Sequence, residues 1–211
     1  MSNFLDKFAV KRQSYVPAVY DVEGDWSSAS YFLALGAMLG GVELDNVNSS
    51  SWQGDRVMME LIRQMGAKVD VEGGSIMAGR TDLNGTRADL NDSIDLLPTM
   101  AVLASVAKGE SVFTGIRRAR AKESDRVSAV KEGLERMGIK VDVDDDSMTI
   151  TGGEPAGAEI DSKGDHRIAM AFGVLGALAG GVVIDGAECV SKTYPAFWED
   201  LKRIGGNVDV Q

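Results

Sequence analysis

Apolar and polar positions along the chain follow one pattern that occurs three times. The first copy carries SSASYFLALGAMLGGVELDNV (27–47) and then MMELIRQMGAKVDVEG (58–73). The second carries TMAVLASVAKGESVFTGI (99–116) and VKEGLERMGIKVDVDD (130–145). The third carries RIAMAFGVLGALAGGVVIDGA (167–187) and FWEDLKRIGGNVDV (197–210). Gly66, Gly138 and Gly205 close the second halves, 72 and 67 residues apart. From Gly41, Gly109 and Gly181 to those glycines the gaps are 25, 29 and 24, so the middle copy is about four residues longer, around RRARAKESDR (117–126). Such self-similarity marks a repeated supersecondary unit.

Each copy predicts a small-residue apolar helix, a glycine stop and a short β-branched strand. A second helix, another stop and another strand follow. The first helices, such as MAVLASVA, are apolar nearly all round and are expected to be buried. The second helices space their charges helically, as at Lys131, Glu132, Glu135 and Arg136, and are expected near the surface. The result is an α/β domain of three pseudo-symmetric units, with inner helices enclosed by sheets and outer helices. The units run over about 23–80, 93–152 and 160–211. Residues 1–22 stand outside the repeat and read as a helix end (SNFLDKF) and a strand belonging to something upstream. Met58, Met59 and Met65 are expected to pack and not to hold a cofactor.

Composition narrows the function classes. The chain has 211 residues, 44% hydrophobic, a formal net charge of −10 and a sequence pI near 4.6. That balance argues against nucleic acid or membrane surfaces as partners. No stretch has the length and apolar purity of a membrane span. One Cys (Cys189) leaves no intrachain disulfide and fits a reducing, cytoplasmic setting. One His and no paired cysteines make a metal site a poor expectation.

Candidate chemistry lies just ahead of the helices. Asp25, Asp95 and Asp165 precede the inner ones; Asp55, Asp125 and Thr193 fall near the starts of the outer ones. Each is a ready helix cap, and that is the commoner use of such residues. Three entrances also carry cations: Lys122 with Arg126, Arg167, and Lys192. A cation at a helix N-terminus opposes the helix dipole unless an anion lies between them. Three such entrances in equivalent places point either to one multiply charged ligand or to solvated surface charge.

VEGDWSSASYFLALGAMLGG, SSWQGD, DLLPTMAVLA, RAKESDR, GDHRIAMAF and SKTYPAFW, in that order, resemble the C-terminal half of the 5-enolpyruvylshikimate-3-phosphate (EPSP) synthases, the 3-phosphoshikimate 1-carboxyvinyltransferases. The likeness runs from about residue 20 to the end. It implies βαβαββ units, the inside-out α/β barrel domain of enolpyruvyl transferases. It also implies transfer of enolpyruvyl from phosphoenolpyruvate to the 5-hydroxyl of shikimate 3-phosphate, with no metal or organic cofactor. By motif, Asp95 of DLLPT would be the base at the attacking hydroxyl and would bind shikimate 3-phosphate. Glu123 of KESDR would give the proton to the enol methylene, and Lys122 would contact shikimate 3-phosphate. Arg126, Arg167 and Lys192 would hold phosphoenolpyruvate, with Asp165 and His166 close by. Cations would pull the acids' pKa values down and desolvation would push them up; sequence leaves that balance open. Arg117, Arg118 and Arg120 receive no role.

The KSxSNRAL-type segment and the Ser-Ser-Gln contact of the family's N-terminal half have no counterpart here. The expectation is a C-terminal domain (23–211) behind the tail of a missing N-terminal domain (1–22). That domain would be its partner within a monomeric full-length enzyme. The isolated chain is expected to fold without turning over. Two alternatives stand beside it: a domain like UDP-N-acetylglucosamine enolpyruvyl transferase, and a non-catalytic binding or assembly module, or subunit of a split enzyme. Cys189, in AECVSKTYP, does not sit in the reactive-cysteine loop of the former.

Overall fold

The structure is a computed structural model and describes residues 9–210. The helix end expected over SNFLDKF lies outside the described residues.

Three inner helices form the centre: α1 (Trp26–Leu39), α3 (Leu97–Val106) and α5 (His166–Ala179). Each packs on the other two. In α3 every residue from Leu97 to Ser105 is buried, which is why its sequence shows no polar face. Burying one Leu or Met side chain contributes about 1.5–3 kcal/mol, so this three-helix contact is a large part of what holds the domain together. The outer helices are α2 (Met58–Gln64), α4 (Arg126–Arg136) and α6 (Phe197–Arg203). On α4, Val127, Val130 and Leu134 face inward and the Lys131–Glu135 and Glu132–Arg136 pairs face out. Met58, Met59 and Met65 are core residues. Gly66, Gly138 and Gly205 stop the outer helices at φ of 93°, 85° and 103°, a backbone that side chains with a Cβ rarely adopt.

The middle unit is a full βαβαββ. Its strands β4 (Arg87–Asp89), β5 (Glu110–Thr114), β6 (Lys140–Val143) and β7 (Ser147–Thr151) lie in the order β4-β5-β7-β6. β4 and β5 are parallel, while β5–β7 and β7–β6 are antiparallel. The first unit has β1 (Val42–Leu44), β2 (Lys68–Glu72) and β3 (Ser75–Gly79) in the order β1-β3-β2. The third has only β8 (Glu159–Asp161) parallel to β9 (Val183–Asp185).

Two expected strands are therefore absent from the described residues. Residues 207–210, which read like KVDV of β6, are irregular. In the other units a middle strand, β3 or β7, joins that segment to the sheet; without it the backbone has no ladder partner. Residues 9–25 likewise contain no strand. One bond, from Gly24 N–H to the Asn46 carbonyl (2.8 Å), matches Leu90 to Thr114 (2.9 Å) and Ser162 to Asp185 (3.1 Å) in the other units. Upstream of it Tyr15, Val16, Val19, Tyr20 and Val22 are exposed, so no burial there holds a first strand against β1. No helix among the described residues is long and apolar enough to cross a membrane.

Candidate active site

The helix entrances of all three units meet at one end of the inner helices. The capping reading holds for three aspartates. Asp25 accepts Ser28 N–H (2.8 Å), Asp125 accepts Ser128 N–H (3.0 Å) and Asp165 accepts Arg167 N–H (2.9 Å). It does not hold for Asp95, which lies in the 3-10 turn Asn91–Leu96 leading into α3 and is free to bind side chains.

Asp95 gathers cations from two units. Lys122 Nζ is 3.1 Å away, Arg126 Nη1 2.7 Å and Arg167 Nη2 3.4 Å. Glu123 does the same, with Arg126 Nη2 at 2.6 Å and Lys192 Nζ at 3.0 Å. The four entrance cations Lys122, Arg126, Arg167 and Lys192 are thus brought to half-buried Asp95 and exposed Glu123, from segments as far apart as Asp95 and Lys192. Burial raises the pKa of both acids, and the cations outweigh it. For Asp95 the charge of Arg167, the hydrogen bond of Lys122 and the charge of Arg126 bring the carboxyl below its ordinary value. For Glu123 the Lys192 hydrogen bond, its own backbone and the charges of Arg126 and Lys192 hold it down to about 2. The balance that sequence left open falls on the ionised side for both.

Arg126 is buried within the cluster. Its side chain is 1% exposed, and Nε and Nη2 bond both oxygens of Asp165 (2.8 and 3.3 Å), itself 0% exposed. With Asp95 and Glu123 it is enclosed by three carboxylates. Asp165 is a buried counter-ion to Arg126 that also accepts Ser124 Oγ (3.0 Å). His166 is buried, with Nδ1 3.8 Å from Asp165 Oδ1 and without a hydrogen-bond partner. Burial lowers its pKa below 6.5 and keeps the imidazole neutral at pH 7. Arg117 pairs with Asp145, Arg118 donates to the Asn91 carbonyl, and Arg120 reaches Asp125 (3.4 Å) and the Asp144 carbonyl (3.2 Å). The RRAR half of the basic stretch thus ties loops of the middle unit together.

Two residues of the first unit join the cluster: Ser27, which no sequence pattern marked, and Asp55, which reads in the sequence as a helix cap. Ser27 Oγ donates to Asp55 Oδ2 (2.5 Å) and accepts from Arg167 Nη2 (3.3 Å). The usable signal for Asp55 was its place in SSWQGD; its resemblance to an ordinary cap concealed it.

The EPSP synthase (3-phosphoshikimate 1-carboxyvinyltransferase) family model matches residues 6–201. A 3-phosphoshikimate 1-carboxyvinyltransferase of Dehalococcoides mccartyi is 51% identical over 202 residues, covering 96% of this chain and 48% of the relative. One of Methanopyrus kandleri is 43% identical, covering 94% of this chain and 47% of the relative. Among solved structures, an EPSP synthase of Acinetobacter baumannii superposes with a TM-score of 0.77 at 33% identity, over 90% of this chain and 48% of that one. The enolpyruvyl transferase NikO of Streptomyces tendae, at 21% identity and a TM-score of 0.69, shares the fold. The chain spans about half the length of the curated relatives it matches. The repeated α/β units and the match over most of the sequence agree: the chain belongs to the EPSP synthase family.

Proposed function

We propose that this chain is the C-terminal domain of an enzyme of the shikimate pathway, on the route to chorismate and the aromatic amino acids. The enzyme transfers the enolpyruvyl group of phosphoenolpyruvate to the 5-hydroxyl of shikimate 3-phosphate, with release of phosphate. The observation that carries the reading is the convergence of Lys122, Arg126, Arg167 and Lys192 on Asp95 and Glu123. Both substrates are phosphorylated carboxylates, and a cationic pocket around two acids is what they and an addition–elimination reaction require.

In the addition, Asp95 takes the proton of the attacking 5-hydroxyl as its oxygen bonds to C2 of phosphoenolpyruvate, and Glu123 delivers a proton to C3. In the elimination, Glu123 takes a proton back from C3, the double bond re-forms, and the C2–O bond to phosphate breaks with release of phosphate. An ionised Asp95 suits its role directly. Glu123 at about 2 must first lose the hold of Lys192, and an arriving phosphate or carboxylate that draws Lys192 away and offsets the charge of Arg126 raises its pKa. Lys122 contacts shikimate 3-phosphate; Arg126, Arg167 and Lys192 take phosphoenolpyruvate; Asp165 and His166 form the floor beneath them.

Without ligand the four cations are paired with Asp95, Glu123 and Asp165 within the domain itself. A substrate anion must displace those carboxylates, and an open cleft gives it little desolvation to work with. The isolated chain therefore binds phosphoenolpyruvate weakly and does not turn over; the N-terminal domain supplies the remaining charge and closes the cleft in the cytoplasm. The test is a titration with phosphoenolpyruvate and shikimate 3-phosphate, singly and together, followed by residue-resolved NMR. Shifts are expected at Asp95, Lys122–Arg126, Asp165–Arg167 and Lys192. Shifts elsewhere, or phosphate release by the chain alone, would overturn the reading; phosphate release on adding the N-terminal half would extend it.

A further inference from the structure

We propose that Asp55 is a positioning residue for Arg167 and acts through the hydroxyl of Ser27. The proposal rests on the reading of Arg167 as an anion-binding side chain. Asp55 lies in the 3-10 turn Gly54–Val57 that opens into α2, the place where Asp125 caps α4 in the middle unit. Asp55 makes no such cap. Its carboxylate accepts the Ser27 hydroxyl at 2.5 Å, and Ser27 Oγ in turn accepts Arg167 Nη2 at 3.3 Å. The same Nη2 lies 3.4 Å from Asp95 Oδ2. The guanidinium is therefore gripped from two sides: by the carboxylate assigned as base, and by a serine whose proton is already committed elsewhere.

That commitment is the physical point. A serine hydroxyl can rotate and can either donate or accept. With its proton fixed on Asp55 it presents only lone pairs to Arg167, and the bonds reinforce one another in a poorly solvated place. Burial raises the pKa of Asp55 above its ordinary value, and the Ser27 hydrogen bond and the charge of Arg167 offset only part of that rise. A half-buried carboxylate that caps nothing is costly to keep, and alignment of Arg167 accounts for its presence. The relay also ties the first unit to the third: Ser27 and Arg167 are 140 residues apart in sequence.

The experiment measures hydrogen exchange at the Nε–H of Arg167 in the ligand-free chain by NMR, with the Nε–H of buried Arg126 as internal control. Asp55→Ala and Ser27→Ala are each expected to speed exchange at Arg167 about 10-fold, which corresponds to about 1.4 kcal/mol, and to leave Arg126 unchanged. The double variant is expected to exceed neither single one, because both remove the same connection. Ser27→Ala keeps the test valid if Asp55→Ala does not fold. Exchange at Arg167 within about twofold of the unaltered chain in the variants that fold overturns the proposal. So do additive effects, and so does acceleration at both arginines, which means general loosening. The substrate reading fails separately: if phosphoenolpyruvate leaves Arg167 undisturbed in the unaltered chain, that reading falls and the ligand-free exchange result stands.

Discussion

In the middle unit the sheet has four strands, α4 runs Arg126–Arg136, and the entrance cation Arg126 is 1% exposed. In the third unit the sheet has two strands, α6 runs Phe197–Arg203, and the entrance cation Lys192 is 57% exposed. Both cations reach Glu123, at 2.6 and 3.0 Å. The difference lies in what fixes the helix behind each one. α4 is seated hard on the core: a Cβ added at Gly133 would come within 2.3 Å of the Phe172 ring on α5. Arg126 at its first turn is buried, and Asp165 pairs with it there. Lys192 stands on a 3-10 turn beside an incomplete sheet and has only Glu123 to hold it. The complete unit provides a fixed charge and the incomplete one a movable charge.

The largest expected effect is at the fixed charge. Arg126→Ala leaves Asp165 buried and unpaired, and urea unfolding should show a loss of about 3–5 kcal/mol. A loss under about 1 kcal/mol would mean that Arg126 is not the anchor described here. Next comes the seat of α4: Gly133→Ala should cost about 1–3 kcal/mol in the same measurement, because the methyl overpacks Phe172. An unchanged midpoint would show that the α4–α5 contact yields.

At the movable charge the effect is on titration. Lys192→Ala should move stability by no more than about 0.5 kcal/mol and raise the pKa of Glu123 from about 2 toward its usual value, read by carboxyl NMR. The sign is that of a depressed acid: its contribution to stability is present above the ordinary carboxylate pKa and lost as pH falls toward about 2, and the variant loses less over that window. His166, the chain's one histidine, adds a separate step. Its folded pKa is depressed below 6.5, so the neutral form favours the fold, and that contribution is lost as pH falls from 6.5 through the folded value. A single imidazole resonance titrating below 6.5 checks it; a midpoint at or above 6.5 contradicts it. The smallest effect is dynamic. Amides of β9, paired on one side, should exchange faster than those of β5, paired on both.

Arg126, Asp165 and Asp55 mark the boundary of what the sequence revealed. The resemblance located Asp95, Glu123 and the four cations, and the structure brings them together. It did not distinguish an exposed cation from a buried one, since Arg126 and Lys192 follow the same entrance pattern. Asp55 and Asp125 looked alike as helix openers, and only their surroundings separate an aspartate that caps from one that bonds a distant serine.

The sequence by itself determined the three-fold repeat, the buried inner helices, the amphipathic α4 and the glycine stops. Each follows from periodicity and backbone preference within a few turns of chain. It also predicted strands at both ends of the repeat, and there tertiary structure decided otherwise, because a strand exists only where a neighbour accepts its hydrogen bonds. The pairing of the charges was decided at the same level. Arg126 met Asp165 across 39 positions and Arg167 met Ser27 across 140. Such pairings depend on distances between units, which no local pattern encodes.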